Sequence, residues 1–387
     1  MQFAQTHLTL NPRCSLRLLE EPCVFDKASD ELYELDREAF DFLQSLSAPA
    51  DAAVVEKGDK EFLDYCLEEE ILVRGGNRLP QTPPVQSPIP SLRYLLLHIT
   101  TRCNLRCAHC FHGDTEPLDL PVERIARVME EFDEMQGLRL LISGGEPLLH
   151  PQFSEINELF DRFSFRTVIL SNGTIFEELS VAPGLRAHEV QVSLDGVGAS
   201  HDALRGPGSY ERALAGLENL CKAGVDVSIS TMVHSGNLSD FDALEAIVKS
   251  FGAKEWGIDV PARAGRWLNG TSLEASPEEA APLLGRAYGG GAHSCGGAEW
   301  ACGAHLCAVM ADGTICKCGY YADSPVGALD DGLLQGWQNV PRVKVERLRC
   351  DCDMLAECRG GCRYRAQMAG ESLGRDPVMC AANGLSR

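Results

Sequence analysis

The 387-residue chain is short of cations, with 35 lysines and arginines against 56 aspartates and glutamates and a formal net charge of −21. Phosphate backbones need a cationic face, so nucleic acid is not expected as a partner. No apolar stretch approaches the roughly 18 residues of a membrane helix, so no membrane contact is expected. The first residues, Met1-Gln2-Phe3-Ala4-Gln5-Thr6-His7, carry neither a basic patch nor an apolar core. Without a secretion signal the expected location is the cytoplasm. At 44% hydrophobic and 24% charged residues the composition suits a globular protein. Its length exceeds the roughly 250–300 residues at which one core stops growing, which predicts two or three domains.

Cysteine, by contrast, is plentiful: there are seventeen. In a chain read as cytoplasmic they suggest metal ligands rather than disulfides. Most crowd the C-terminal quarter, and residues 307–318 alone carry three. An even spread would suit buried apolar thiols; clustering suits metal.

The most pointed cluster is Cys103-Asn104-Leu105-Arg106-Cys107-Ala108-His109-Cys110, a CxxxCxxC directly after the apolar run 94–99. Three thiolates this close hold three corners of a four-iron, four-sulfur cluster and leave one iron open. An open metal position is where chemistry happens, whereas a closed one is structural or carries electrons. The alternatives are a zinc knuckle or scattered buried thiols, although zinc sites tend to show paired CxxC units.

Residues 1–76 pattern as a small module. Short alternating runs at 15–19, 23–26 and 31–35 predict strands. Helices are predicted over 37–46, with Ala39, Phe40, Leu43 and Leu46 on one face, and over 60–69, with Phe62, Leu63, Cys66 and Leu67 inward. Asp36 and Asp59 are the expected N-terminal caps, and a short strand at 71–73 closes a winged-helix-like fold. Residues 77–92, holding Pro80, Pro83, Pro84, Pro88 and Pro90, read as a stiff linker. From 93 to 285, β-like runs at 94–99, 138–142, 167–170, 189–193, 227–231 and 255–258 alternate with amphipathic helices. The first of these helices, 121–136, buries Val122, Ile125, Met129 and Phe132. Repeated βα units imply a parallel sheet with right-handed crossovers.

The CxxxCxxC after the first of six βα units resembles the radical S-adenosylmethionine (SAM) superfamily. That resemblance implies an α/β fold with a partial (β/α)6 barrel, whose site lies on the loops after the strand C-termini. It also implies that the open iron on Cys103, Cys107 and Cys110 chelates SAM and, once reduced, cleaves it to a 5'-deoxyadenosyl radical. After the second strand, Ser143-Gly144-Gly145-Glu146-Pro147 resembles the element holding the methionine amino group, since paired glycines allow close approach and a carboxylate accepts from an ammonium. Ser171, in Ser171-Asn172-Gly173-Thr174, resembles the polar turn near the ribose. Ser193 and Arg205 resemble the contacts to SAM's polar groups and carboxylate, and Phe111 the aromatic beside the adenine. Asn237, Pro261 and Gly265-Arg266 also match family positions, without roles assigned. Residues 1–76 look like the PqqD-like element that binds a leader peptide by adding it to a sheet edge; a domain that merely packs on the barrel is the alternative.

Residues 286–387 resemble the SPASM extension, a cysteine-rich iron–sulfur tail with two auxiliary four-iron clusters. The resemblance implies Cys295, Cys302, Cys318 and Cys362 for one cluster and Cys350, Cys352, Cys358 and Cys380 for the other, three clusters in all. The Asp312-Gly313 turn fits a hairpin delivering Cys318. Three departures stand out. Cys350-Asp351-Cys352 is CxC where the family shows CxxC. Cys307 and Cys316 have no counterpart, and either is a spare thiol or a replacement for Cys295. Gly319 follows Cys318 where sulfatase-modifying relatives place an aspartate that serves as base; Tyr320 and Tyr321 read as packed hairpin aromatics, with a place facing the substrate as the alternative for either.

The function these features imply is a radical SAM maturase. It would draw electrons from a flavodoxin or ferredoxin-type reductant and abstract hydrogen from a ribosomally made peptide, forming a thioether or carbon cross-link. Three alternatives stand beside it: a related enzyme acting on a small cofactor precursor such as a tetrapyrrole, a maturase of another enzyme, and a non-catalytic zinc or iron–sulfur binding protein.

Overall fold

The structure, a computed structural model, describes residues 8–46, 60–75, 84–178, 182–290 and 299–385. Asp59, Pro80, Pro83 and Cys295 lie outside the described residues.

At the centre are six parallel strands in chain order: β6 (Tyr94–Thr100), β7 (Arg139–Gly144), β8 (Arg166–Ser171), β9 (Glu189–Ser193), β10 (Asp226–Met232) and β11 (Trp256–Asp259). Each was expected within a few residues. Strands β6 to β10 are largely buried, so they read as nearly continuous apolar runs rather than clean alternation. The crossover helix α3 (Val122–Glu134) turns Ile125, Val128, Met129 and Phe132 inward. Their i, i+3, i+4, i+7 spacing is what makes this segment a helix against the sheet.

In the N-terminal part, β2 (Cys14–Leu18), β3 (Pro22–Asp26) and β4 (Glu31–Glu34) form an antiparallel sheet with β4 at its edge. Helix α1 (Arg37–Ser45) is capped as expected, the Asp36 carboxylate accepting from the Ala39 amide. It packs with α2 (Lys60–Glu68) around Phe40, Leu43, Leu63 and Cys66. The closing strand β5 (Leu72–Arg74) pairs with β1 (Leu8–Leu10), which the sequence pattern did not reveal.

This module sits at the end of the barrel where the strands begin. Arg166, at the start of β8, donates to the Lys27 and Ala28 carbonyls at 2.9 Å each and pairs with Glu189 at 2.7 Å. Arg139, at the start of β7, lies 3.3 Å from Asp30, and Arg93 pairs with Glu20 at 2.7 Å. Leu19, Cys23 and Phe25 close over Leu138.

The C-terminal part does not stand apart from the barrel. Strand β12 (Leu306–Val309) pairs in parallel with β6, and β13 (Thr314–Cys316) and β14 (Gly327–Ala328) continue the same sheet, making nine strands. The expected turn joins β12 to β13, with Gly313 at φ +85°, a value that favours glycine. Val309, Ile315, Leu333 and Trp337 share the barrel's core. No helix among the described residues is long and apolar enough to cross a membrane.

Candidate active site

A cavity of about 950 Å³ opens at the end of the barrel where the strands finish, opposite the N-terminal module. Cys103, Cys107 and Cys110 all line it. The cluster loop carrying them leaves β6, and its Ala108 amide is anchored on the Leu204 carbonyl, 2.8 Å away. Burial raises the Cys107 thiol's pKa while nearby Arg205 pulls it down. A thiol so placed ionises on meeting a metal cation.

The loop after β11 holds the cluster loop from the far side of the barrel. Arg266 donates from Nε to the Cys107 carbonyl (2.8 Å) and from Nη1 to the Gly113 carbonyl (2.5 Å) and Asp114 (2.8 Å), while its amide reaches the Cys110 carbonyl (3.0 Å). Gly265 sits at φ +51°, and a Cβ there would lie 2.3 Å from the Cys110 oxygen. Only glycine allows that approach. The sequence marked Gly265-Arg266 as family-like, but no sequence signal showed that they clamp the cysteine loop.

Of the GGEP element, Gly144 and Gly145 line the cavity, whereas Glu146 and Pro147 are buried behind its wall. The two glycines also meet the cluster loop's backbone: added Cβ atoms would lie 2.2 Å from the Thr100 oxygen and 2.4 Å from the Arg102 oxygen. Glu146 was expected to accept from a ligand ammonium. Instead it is fully buried and accepts from Ser171 Oγ (3.0 Å) and the Asn172 amide (2.9 Å). Burial outweighs these bonds and pushes its carboxyl up to about 7. It therefore ties the loop after β7 to the loop after β8.

Ser171, Ser193 and Arg205 line the cavity. Arg205 is ion-paired through Nε with fully buried Asp195, which also accepts from the Met232 amide at 2.7 Å. Asn237 donates to the Asp195 and Met232 carbonyls, so its part is to brace the arginine's partner.

Phe111 lines the cavity and stacks on His112 at 4.3 Å. It meets His98 and Tyr320 edge-on, each at 5.7 Å between centroids. Tyr320 is packed, stacking on Tyr364 at 5.3 Å, and also lines the cavity. Tyr321 packs edge-on against the same Tyr364.

Cys350, Cys352, Cys358 and Cys380 all line one small second cavity, so the CxC departure still brings both cysteines to one place. Cys302 and Cys362 share a hydrogen bond, which pulls the Cys302 thiol down toward the thiolate, and Cys318 interacts with both. Cys295, expected beside them, lies outside the described residues. Cys307 and Cys316 are fully buried on β12 and β13 among apolar side chains, which favours the spare-thiol alternative. Among the described residues no group of three or more His, Cys, Asp or Glu converges on a single-ion position. Cys103, Cys107 and Cys110 border the cavity of about 950 Å³, and Cys350, Cys352, Cys358 and Cys380 border one of about 10 Å³.

Residues 97–247 match the Radical SAM superfamily. The AdoMet-dependent heme synthase of Oleidesulfovibrio alaskensis is 30% identical over 200 residues, 50% of this chain and 51% of that protein. The mycofactocin maturase MftC of Mycobacterium ulcerans is 29% identical over 328 residues, 73% of this chain and 86% of that protein. The chain spans about half the length of the heme synthases it matches, 51% and 56% of their own lengths. Streptococcus suis SuiB bound to its precursor peptide SuiA superposes with a TM-score of 0.68 at 14% identity, over 95% of this chain and 98% of that one. SuiB bound to S-adenosylmethionine superposes with 0.67 at 15% identity, over 96% and 99%. Residues 97–247 are thus similar to the radical SAM superfamily, which works with a four-iron cluster and SAM, and SuiB, of like fold, is seen with S-adenosylmethionine bound.

Proposed function

We propose that this radical SAM protein is a peptide maturase, installing a thioether or carbon cross-link in a ribosomally made precursor in the cytoplasm. The observation that carries the reading is the convergence of Cys103, Cys107 and Cys110 with Gly144, Gly145, Ser193 and Arg205 on one cavity of about 950 Å³. A space at the upper end of the usual ligand-pocket range takes SAM and leaves room for a substrate segment.

In this reading the three cysteines hold the four-iron cluster, and Gly144 and Gly145 let SAM approach the backbone. Ser193 and Arg205 meet its polar groups, Phe111 lies beside its adenine, and Ser171 stands near its ribose. Glu146 and Pro147 shape the wall from behind. Bound there, reduced cluster and SAM supply a carbon radical able to take hydrogen from a carbon that acid–base chemistry cannot reach. The barrel positions that carbon and excludes water. Cys350, Cys352, Cys358 and Cys380 hold one auxiliary cluster, and Cys302, Cys318 and Cys362 with Cys295 the other. Electrons arrive from a flavodoxin or ferredoxin-type donor.

The peptide half of the reading draws on the likeness to MftC and on β4. Among the described residues that strand pairs with β3 alone, and its other edge is where a leader peptide would add in a PqqD-like module. The identity with heme synthases favours a second reading, a tetrapyrrole-like substrate in the same cavity.

The test is anaerobic reconstitution with iron and sulfide, then reduction with SAM and assay for 5'-deoxyadenosine, with wild type beside Cys107→Ala. The expected results are about twelve irons per chain, from three four-iron clusters, nucleoside only from the wild type, and auxiliary iron retained in both. Nucleoside from the alanine variant, or zinc in place of iron, would overturn the proposal. Precursor peptides encoded near the gene, offered against a tetrapyrrole, separate the two substrate readings.

A further inference from the structure

Arg363 follows Cys362 directly and is among the largest fully buried side chains, at 2% exposure. Its Nε donates to the Gly361 carbonyl (3.4 Å) and its Nη1 to the Ser372 and Gly374 carbonyls (3.1 and 2.8 Å). Its Nη2 has no partner among the described residues. No carboxylate pairs with this guanidinium there, and Asp376 is held instead by Arg365 and by the Cys362 amide.

A buried cation without a counter-ion is strongly disfavoured, so its surroundings decide its meaning. Nη2 lies against Gly360: a Cβ on that glycine would be 2.8 Å from it. Gly360 in turn lines the small cavity shared by Cys350, Cys352, Cys358 and Cys380. The unpaired N–H thus stands directly behind Gly360, which separates it from the space that the four thiols border. Those donors suit a four-iron cluster, which four thiolates make an anion in either redox state and more negative when reduced.

We propose that Arg363 is the internal counter-ion of this auxiliary cluster, its Nη2 donating toward the cluster's sulfurs and holding the reduction potential up. A neighbouring cation stabilises the more negative state most, and a hydrogen bond to a cluster sulfur acts in the same direction. Arg363 is therefore a positioning and tuning residue that touches no substrate. It also adjoins Cys362 of the other cysteine group, so it stands between the two auxiliary sites. Arg375 lines the same cavity but is solvent-exposed, where its charge is screened.

The inference rests on the auxiliary-cluster assignment above. It is tested by EPR-monitored redox titration of reconstituted holoenzyme, comparing wild type with Arg363→Gln, Arg363→Lys and Arg375→Gln, with iron counted in each. Arg363→Gln should keep its iron and lower the potential by at least a tenfold change in the reduction equilibrium, about 59 mV for one electron. Arg363→Lys and Arg375→Gln should each shift it far less. Full iron with an unchanged potential in Arg363→Gln, or an equal shift in Arg375→Gln, overturns the inference while leaving the proposed function standing. Where Arg363→Gln does not hold iron, pulsed EPR of ¹⁵N-arginine-labelled Arg375→Lys holoenzyme decides. A nitrogen coupling to the auxiliary cluster supports the counter-ion, and its absence overturns it. Wild-type protein with about four irons instead of about twelve would remove both readings.

Discussion

Replacing Arg266 with glutamine tests whether the last barrel loop holds the cysteine loop in place. The substitution removes donors to two carbonyls, Cys107 at 2.8 Å and Gly113 at 2.5 Å, and a pair with Asp114 at 2.8 Å. Hydrogen bonds from a charged group contribute about 1.5–3 kcal/mol each. The Asp114 pair, whose acid is largely exposed, adds about 0–1 kcal/mol. The sum, about 3–7 kcal/mol, is comparable to the roughly 5–15 kcal/mol that holds a whole domain folded. Because it falls on one loop, the expected outcome is local opening, more frequent by a factor of about 10²–10⁵. Reconstituted Arg266→Gln enzyme should then surrender one four-iron cluster to a chelator, falling from about twelve irons to about eight. SAM cleavage should drop at least about a hundredfold, the usual consequence of misplacing a reactive group by about 1 Å. Thermal melting should move little. Retention of all iron under chelator, with cleavage within about threefold of wild type, would refute the clamp.

Glu146 sets a pH signature: with its carboxyl raised from 4.5 to about 7, the folded state binds that proton more tightly than the unfolded chain. Stability should therefore fall by about 3 kcal/mol as pH rises from 4.5 to 7. Glu146→Gln should flatten that part of the profile in urea titrations, and identical profiles would count against it. Cys307→Ala and Cys316→Ala should keep full iron, whereas Cys352→Ala should lose about four irons per chain; iron loss in the first two would return them to the ligand set. Arg166→Met removes the nearer cation from buried Glu189, leaving it Arg139 at 3.8 Å, and frees the Lys27 and Ala28 carbonyls; it should cost about 3–5 kcal/mol in urea melts. A loss below about 1 kcal/mol would mean that junction carries little.

The six barrel strands and the crossover helix were legible because each is a local pattern: apolar runs for β6 to β10, and Val122, Ile125, Met129 and Phe132 at helical spacing for α3, to which the structure adds Val128. Strand β1 was not, because three residues carry no period and gain a ladder only from β5, sixty residues on. The union of β12 with β6 escaped for a related reason, since neither strand's pattern names its partner. The cysteine motif was visible from spacing alone. What surrounds it was not: Arg266, Asn237 and Arg363 act through backbone carbonyls and buried ions that only the folded partial barrel brings near. Glu146 shows the converse. Its motif drew attention to a ligand contact, yet burial and the Ser171 hydroxyl turned the carboxylate inward.

The position of the N-terminal module gives the molecule a ruler. It caps the barrel's floor, while the cysteines open at the rim, and β6 alone spans seven residues between them. At about 3.3 Å per residue that is a height of about 23 Å. Under the proposed peptide-maturase function, a peptide fastened at the β4 edge must reach around this wall before any of its residues meets the rim, which takes at least about seven extended residues. Reach, set by tether length, then chooses the residue to be modified among chemically equal ones. Shortening the spacer of a bound peptide below that length should end modification without loosening its grip, and lengthening it should move the mark along the chain.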